Sequence, residues 1–201
     1  MGTLTVPSPR PYLAAMSVEA MQVFAAVLAL GAAALAVLVV VGRLLRGRSA
    51  LLDDVMQLID DAALWLAFLV AAGATAGSLY FSEVANYVPC RLCWFQRIAM
   101  YPLAVILSIA AIRRDRAIRW YAIPLAGLGA CVSVYHYLVE WHPQLEGDAC
   151  DPTNPCSLVW FREFGFVTLS FMALCGFAAI IAVLATASGG ELDDDPGRPG
   201  T

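Results

Sequence analysis

Lysine is missing altogether: the twelve basic residues are all arginine. Charge of either sign is scarce, at 14% of 201 residues, whereas 61% are hydrophobic. Ordinary soluble domains run nearer a quarter charged. A soluble core could not hide this much apolar surface, so the composition excludes a water-soluble fold and points to lipid as the solvent. No basic groove is present, which argues against a nucleic-acid partner. The net charge of −4 comes partly from the tail 191–195 and says little about partners. The lack of lysine reads as compositional bias rather than chemistry.

Long apolar runs are what the chain does have. A spanning helix needs ~20 mostly apolar residues, and five runs qualify: about 17–41, 62–81, 94–112, 120–139 and 164–187. The expected fold is an all-α integral membrane protein. The connections are too short for a soluble domain, and residues 1–16 and 188–201 read as disordered ends. Arg43, Arg46 and Arg48 follow the first run, and Arg113, Arg114, Arg116 and Arg119 follow the third. Arginine-rich loops face the cytoplasm. The stretch 140–163 carries Glu140, Glu146, Asp148, Asp151 and Glu163 against Arg162 alone, and should face outward. The segment 82–93 should face outward with it, leaving the amino terminus outside and the carboxyl terminus inside.

The first run could instead be a signal peptide, but such peptides carry their positive charge before the apolar stretch. Here it comes after, so a retained anchor is expected. The segment 51–61 puts Leu51, Leu52, Val55, Met56 and Ile59 on one helical face. It is either an interfacial helix or an extension of the second span. Gly73 and Gly77, at small-xxx-small spacing, are expected to let a neighbouring helix pack closely.

Six cysteines remain to be sorted. Cys131 and Cys175 lie inside apolar runs and read as small buried hydrophobes. The other four form two close pairs at the mouths of spans. Cys90 and Cys93 make a Cys-x-x-Cys after Pro89; Cys150 and Cys156 enclose Asp-Pro-Thr-Asn-Pro. Pro89 suits a helix start, so Cys90 falls near an N-cap and Cys93 in the first turn. Unpaired N–H groups and the helix dipole stabilise an anion there, and thiol pKa values fall at helix N-termini and beside arginine. Arg97, four residues after Cys93, shares its face and sits where an intramembrane charge is usually functional. It could stabilise a thiolate or negative charge growing on a quinone oxygen.

Each motif has a plainer reading. The four cysteines could be a zinc site, although an oxidising compartment and Arg91 and Arg97 nearby argue against one. The Cys150–Cys156 ring could be a structural staple; small exposed rings tend instead to hold labile disulfides. His136, between Tyr135 and Tyr137, could bond a quinone carbonyl or accept a proton. It could equally belong to an interfacial aromatic belt with Trp141.

The run from Cys90 through Trp94, Gln96 and Arg97 to Pro102 resembles the DsbB/BdbC family of membrane disulfide-forming oxidoreductases, in particular its BdbC-like branch. Tyr135–Leu138 and the stretch from Cys156 through Trp160 to Thr168 resemble it too, and the likeness covers about residues 62–187. The resemblance implies a four-helix transmembrane bundle in a bacterial cytoplasmic membrane, so the run at 17–61 is an extra amino-terminal helix and linker. It implies a thiol:quinone oxidoreductase that reoxidises a DsbA-like thioredoxin-fold oxidase and passes electrons to ubiquinone or menaquinone. By position, Cys150 takes the partner's thiolate, Cys156 links that pair to Cys90, and Cys93 reacts with the quinone. Arg97, Gln96 and His136 are the residues it puts beside the ring. The short Cys150–Cys156 ring departs from the best-known members. The vitamin K epoxide reductase family also joins two cysteine pairs to a quinone, but there the loop pair precedes the Cys-x-x-Cys.

Overall fold

The computed structural model describes residues 11–147 and 150–186. Five helices dominate it: α1 (Pro11–Leu44), α2 (Ala50–Leu79), α3 (Arg91–Arg113), α4 (Arg119–Trp141) and α5 (Leu169–Thr186). The described residues form no strand, only two isolated β-bridges. The first four helices are long and apolar enough to cross a bilayer. At 18 residues, α5 rises ~27 Å, close to the ~30 Å hydrocarbon core. The chain is a multi-pass, all-helical membrane bundle.

Local chemistry explains the boundaries. Gly47, at φ +82°, turns the chain after α1. The Ser49 hydroxyl then caps α2 by accepting from the Leu52 N–H at 3.2 Å. α2 runs unbroken through 51–61, so that segment extends the second span rather than lying on the surface. It ends in a π-helical turn, Tyr80–Val84, and Asn86 takes a left-handed φ of 59° before Pro89 opens the approach to α3.

Two expected boundaries are corrected. α1 begins at Pro11, inside the stretch read as disordered; residues 1–10 and 187–201 lie outside the described residues. α5 begins at Leu169, not near residue 164. Phe164 and Gly165 adopt left-handed φ values of 51° and 81°, and Glu163 pairs with Val167 across the resulting turn. A helix cannot start until that turn closes, and Thr168 Oγ1 then caps it by accepting from the Phe171 N–H.

α2, α3, α4 and α5 share a core of Ala67, Ala71, Leu103, Leu107, Ala126 and Phe177, all buried. α1 packs along α5, and less extensively against α2, with Val39 meeting Ala63 and Val183. Lipid is as apolar as leucine, so close van der Waals fit rather than the hydrophobic effect holds such helices together. Large apolar side chains such as Val37, Ile98, Val105 and Leu128 accordingly face outward, each more than half exposed. Cys131 joins them: it is exposed on α4, not buried as expected, whereas Cys175 is buried.

The small residues also sort differently from the expectation. A Cβ on Gly73 or Gly77 would meet nothing within 4 Å, so neither makes a close helix contact. The tight approaches are at Gly129, where a Cβ would run into the Phe177 ring, and Gly42, against Met56.

Alternating helices put the α1–α2 and α3–α4 connections at one end. There Arg43 and Arg46 both bond the Asp60 carboxylate, and Arg116 reaches the Asp60 carbonyl at 3.5 Å and Asp61 at 4.0 Å. The α2–α3 and α4–α5 connections, with all four paired cysteines, lie at the other end.

Candidate active site at the cysteine end

Cys90 is the N-cap of α3, and its sulfur accepts from the Cys93 N–H at 3.3 Å. The two sulfurs lie 2.9 Å apart as free thiols. A proline-preceded N-cap and a Cys-x-x-Cys spacing suffice for this geometry, because one helical turn brings the fourth residue's N–H back over the cap. The pKa of the Cys90 thiol is pulled down to about 4, first by the hydrogen bond from the Cys93 thiol and then by His136; burial opposes both.

Cys150 and Cys156 form a disulfide, with Cys156 fully buried and Cys150 partly so. Their short ring is internally organised. Asp151 accepts from the Thr153 N–H and hydroxyl, both at 2.8 Å, and these bonds hold its carboxyl below the usual range. Asn154 Nδ2 donates to the Pro89 carbonyl at 3.1 Å, tying the ring to the residue before Cys90. Glu146 accepts from the Cys156 N–H at 2.5 Å and the Ser157 hydroxyl at 2.7 Å. Cys90 and Cys156 consequently share one buried cluster with Leu92 and Val139, and Cys93 and Cys150 pack on its margin.

His136 lies at the junction of the two pairs. Its Nε2 is 3.6 Å from Cys90 Sγ and 3.1 Å from the Cys156 carbonyl. It is 2% exposed, whereas Tyr135 and Tyr137 on either side point outward to the carbonyls of Leu145 and Phe166. One turn later Glu140 brings a carboxylate oxygen to 3.9 Å from the same nitrogen. Its other oxygen accepts from Thr168 at 2.6 Å, and Thr168 bonds Ser170 at 3.0 Å. Glu140 was counted at the sequence level as an outer-loop charge; it is in fact a buried member of α4. Its spacing of four from His136 was the available signal. Thr168, Asn154 and Glu146 were also missed, because their roles depend on contacts between separate loops.

Two spaces adjoin the dithiol. The smaller, about 10 Å³, lies among Cys90, Cys93, His136 and Glu140 and has room for roughly one water. The larger, about 530 Å³, opens between α1, α2, α3 and α5. Cys93, Gln96 and Arg97 border it, and Cys93 borders both spaces. Arg97 donates to the Ser78 carbonyl at 3.0 Å and lies over the Trp94 and Tyr101 rings. None of these partners carries negative charge. Gln96 donates to the Ser133 hydroxyl at 3.0 Å. His136 borders only the smaller space, beside the cysteines and apart from Gln96 and Arg97.

Fold and site together define a helical membrane protein built around one disulfide and one adjacent dithiol. The family model described as disulfide bond formation protein DsbB matches residues 60–187, and the chain belongs to that family. It is 42% identical to disulfide bond formation protein C of Bacillus subtilis over 127 residues, 63% of this chain and 92% of that one. It is 44% identical over 122 residues to a probable disulfide formation protein of Oceanobacillus iheyensis, covering 60% and 84%. A third relative, a probable disulfide formation protein of Coxiella burnetii, is 43% identical over 122 residues, covering 60% and 83%. No solved structure matches the chain significantly. The family's general role is disulfide bond formation, an oxidative thiol chemistry. α1 lies outside the region the family model matches.

Proposed function

We propose that this protein is a thiol:quinone oxidoreductase that reoxidises an extracytoplasmic, thioredoxin-fold thiol oxidase. One observation carries the reading. Two cysteine couples share a buried cluster, and the cysteine at its edge, Cys93, also borders a large apolar cavity.

The steps follow from thiol–disulfide exchange, in which a thiolate attacks a disulfide sulfur and displaces the other. A thiolate of the reduced partner attacks Cys150, the less buried sulfur, and Cys156 leaves as thiolate. The partner's second thiolate then displaces Cys150, so the partner gains a disulfide and this couple holds two electrons. Cys156 attacks Cys90 of an oxidised Cys90–Cys93 pair, Cys93 leaves, and Cys150 completes the exchange. His136, within reach of Cys90 and anchored on the Cys156 backbone, holds a proton donor or acceptor where sulfur charge changes.

The residues around the cavity fit a quinone. A cavity of 530 Å³ lies within the ~300–1,000 Å³ range of ligand sites. Its walls are mostly apolar, and its polar groups are gathered near Cys93. When bound, a quinone supplies an acceptor for two electrons and two protons. Cys93 would present its sulfur to the ring, Arg97 would set positive charge beside a ring oxygen, and Gln96 would offer an amide. The orientation that suits this chemistry puts the cysteine end outside and the arginine end in the cytoplasm, in line with the arginine bias.

Purified protein mixed with a reduced thioredoxin-fold oxidase and a quinone analogue should form quinol and partner disulfide in equal amounts. Partner oxidation without quinol, or neither product, overturns the proposal. Because the ligand atoms of Cys90, Cys93 and His136 lie within 4.8 Å of one another, metal analysis belongs beside it. Stoichiometric zinc that blocks turnover would favour a metal-binding role.

A further inference from the structure

We infer that α1, the helix outside the matched family region, forms one wall of a channel for the polyisoprenoid tail of the quinone. The inference rests on the proposed quinone reaction and extends it to an element that reaction does not require.

The large cavity has two unlike parts. Cys93, Gln96 and Arg97 border it near the cysteine end. From there it runs between α1 and α2 as far as Leu35 and Leu66. The α1 residues along it, Met21 to Leu35, span ~21 Å of helix at 1.5 Å per residue. A ring held at Cys93 needs nothing like that length. A hydrocarbon chain attached to the ring does, and it has to leave the polar end in some direction.

The walls are made of residues that leave space. Gly31 on α1 and Gly73 and Gly77 on α2 all border the cavity, and a Cβ on any of them would meet nothing within 4 Å. Glycine in a helix interior is less favourable than alanine, because it loses more backbone freedom on folding. These three repay nothing in close helix packing, unlike Gly129 and Gly42. The slot persists because α1 leans on α5 and only weakly on α2.

The outer end of α1 is pinned to the roof of the cavity near Cys93. Gln22, 8% exposed, donates to the Tyr87 hydroxyl at 2.6 Å. Tyr87 stacks on Trp160 with centroids 4.6 Å apart and on Phe81 at 5.8 Å, and all three rings border the cavity. The contact ties α1 to the loop after the second cysteine pair. A phospholipid could enter the same slot and set its phosphate against Arg97, but it carries no electrophile for the Cys93 sulfur that borders the same space. The quinone tail is the occupant the polar end selects.

The test uses the full chain in phosphatidylcholine vesicles. The probe is a polyisoprenoid quinone with a diazirine on its tail, beside the same ring bearing methyl instead of a tail. Labelling is mapped by peptide mass spectrometry, and kcat/KM is measured for both quinones. The expected result is labelling of α1 between Met21 and Leu35, abolished by excess unlabelled tailed quinone. Gly31→Phe should lower both the labelling and the tailed-to-tailless ratio of kcat/KM about tenfold, the loss of roughly two buried methylenes. Ala34→Phe, on an exposed face of the same helix away from the cavity, should change neither.

Labelling confined to other helices, an unchanged ratio in Gly31→Phe, or phospholipid retained in the slot against excess tailed quinone each overturns the inference. In all three cases the tailless quinone is still reduced and the quinone reaction stands. If neither quinone is reduced or bound by the unaltered protein, the reaction itself is wrong and the channel falls with it.

Discussion

Cys90 and Cys93 are the same residue type three positions apart, yet the fold treats them differently. Cys90 accepts hydrogen bonds from the Cys93 thiol and, more weakly, from the Cys93 backbone N–H, and it approaches His136, so it holds negative charge readily. With its thiol near 4, reduced Cys90 stays a thiolate from alkaline pH down to about that value. At pH 6 an ordinary cysteine is only ~0.3% ionised. The alkylation rate at Cys90 should therefore be nearly flat from pH 8 to 5, then fall as the thiolate is protonated. A rate falling tenfold per unit across that range would show an ordinary thiol. Cys93→Ala should raise the Cys90 pKa more than His136→Ala does, since the Cys93 hydrogen bond is the larger cause. Cys93→Ser should reduce quinone-linked turnover to background while leaving the Cys150–Cys156 disulfide able to react with a partner thiol. Trapping the mixed disulfide by acid quench and alkylation would read this out.

At the scale of elements, α4 does two jobs at once. One face closes on α5 through Gly129, whose absent side chain admits the Phe177 ring. Gly129→Ala should destabilise the protein by about 1–3 kcal/mol, the usual cost of overpacking. Gly73→Ala, with open space at its Cβ, should be neutral or slightly stabilising. Thermal unfolding in detergent compares the pair directly, and equal losses would contradict the packing described. The end of α4 supplies His136 and Glu140. Glu140→Leu removes the carboxylate that accepts from Thr168 and leaves Ser170 as its remaining side-chain partner, and losing a hydrogen bond to a charged group costs about 1.5–3 kcal/mol. Glu140→Gln keeps an acceptor and should lose less. If stability is unaffected in both, Glu140 does not anchor the α5 entry.

Over the whole molecule, the paired cysteines and the largest arginine cluster lie at opposite ends. Arg43, Arg46 and Arg116 gather around Asp60 and Asp61, and the paired cysteines gather around His136. That polarity gives the topology a clean test. Single-cysteine reporters after Arg114 and after Gly147 should be labelled by a membrane-impermeant thiol reagent only at the second position in intact cells. The reverse pattern would put the dithiol in a reducing compartment and remove the basis for the oxidative reading.

Sequence alone determined the class of fold, the number of long helices and the two cysteine couples, because hydrophobic run length and Cys-x-x-Cys spacing are local quantities; α2, however, begins at Ala50 rather than near residue 62. Most of the other departures lie where non-local contacts decide. The α5 start moved because the Phe164–Gly165 turn pairs Glu163 with Val167. Gly73 and Gly77 proved to border a cavity because α1 leans towards α5. Glu140 turned inward because Thr168 arrives from another segment to bond it. Which residues pair with which was written in the chain's spacing. Which face of each helix meets a neighbour, a thiol or an open space was decided only when five helices, each free to rotate about its own axis in an apolar solvent, settled into one mutual packing.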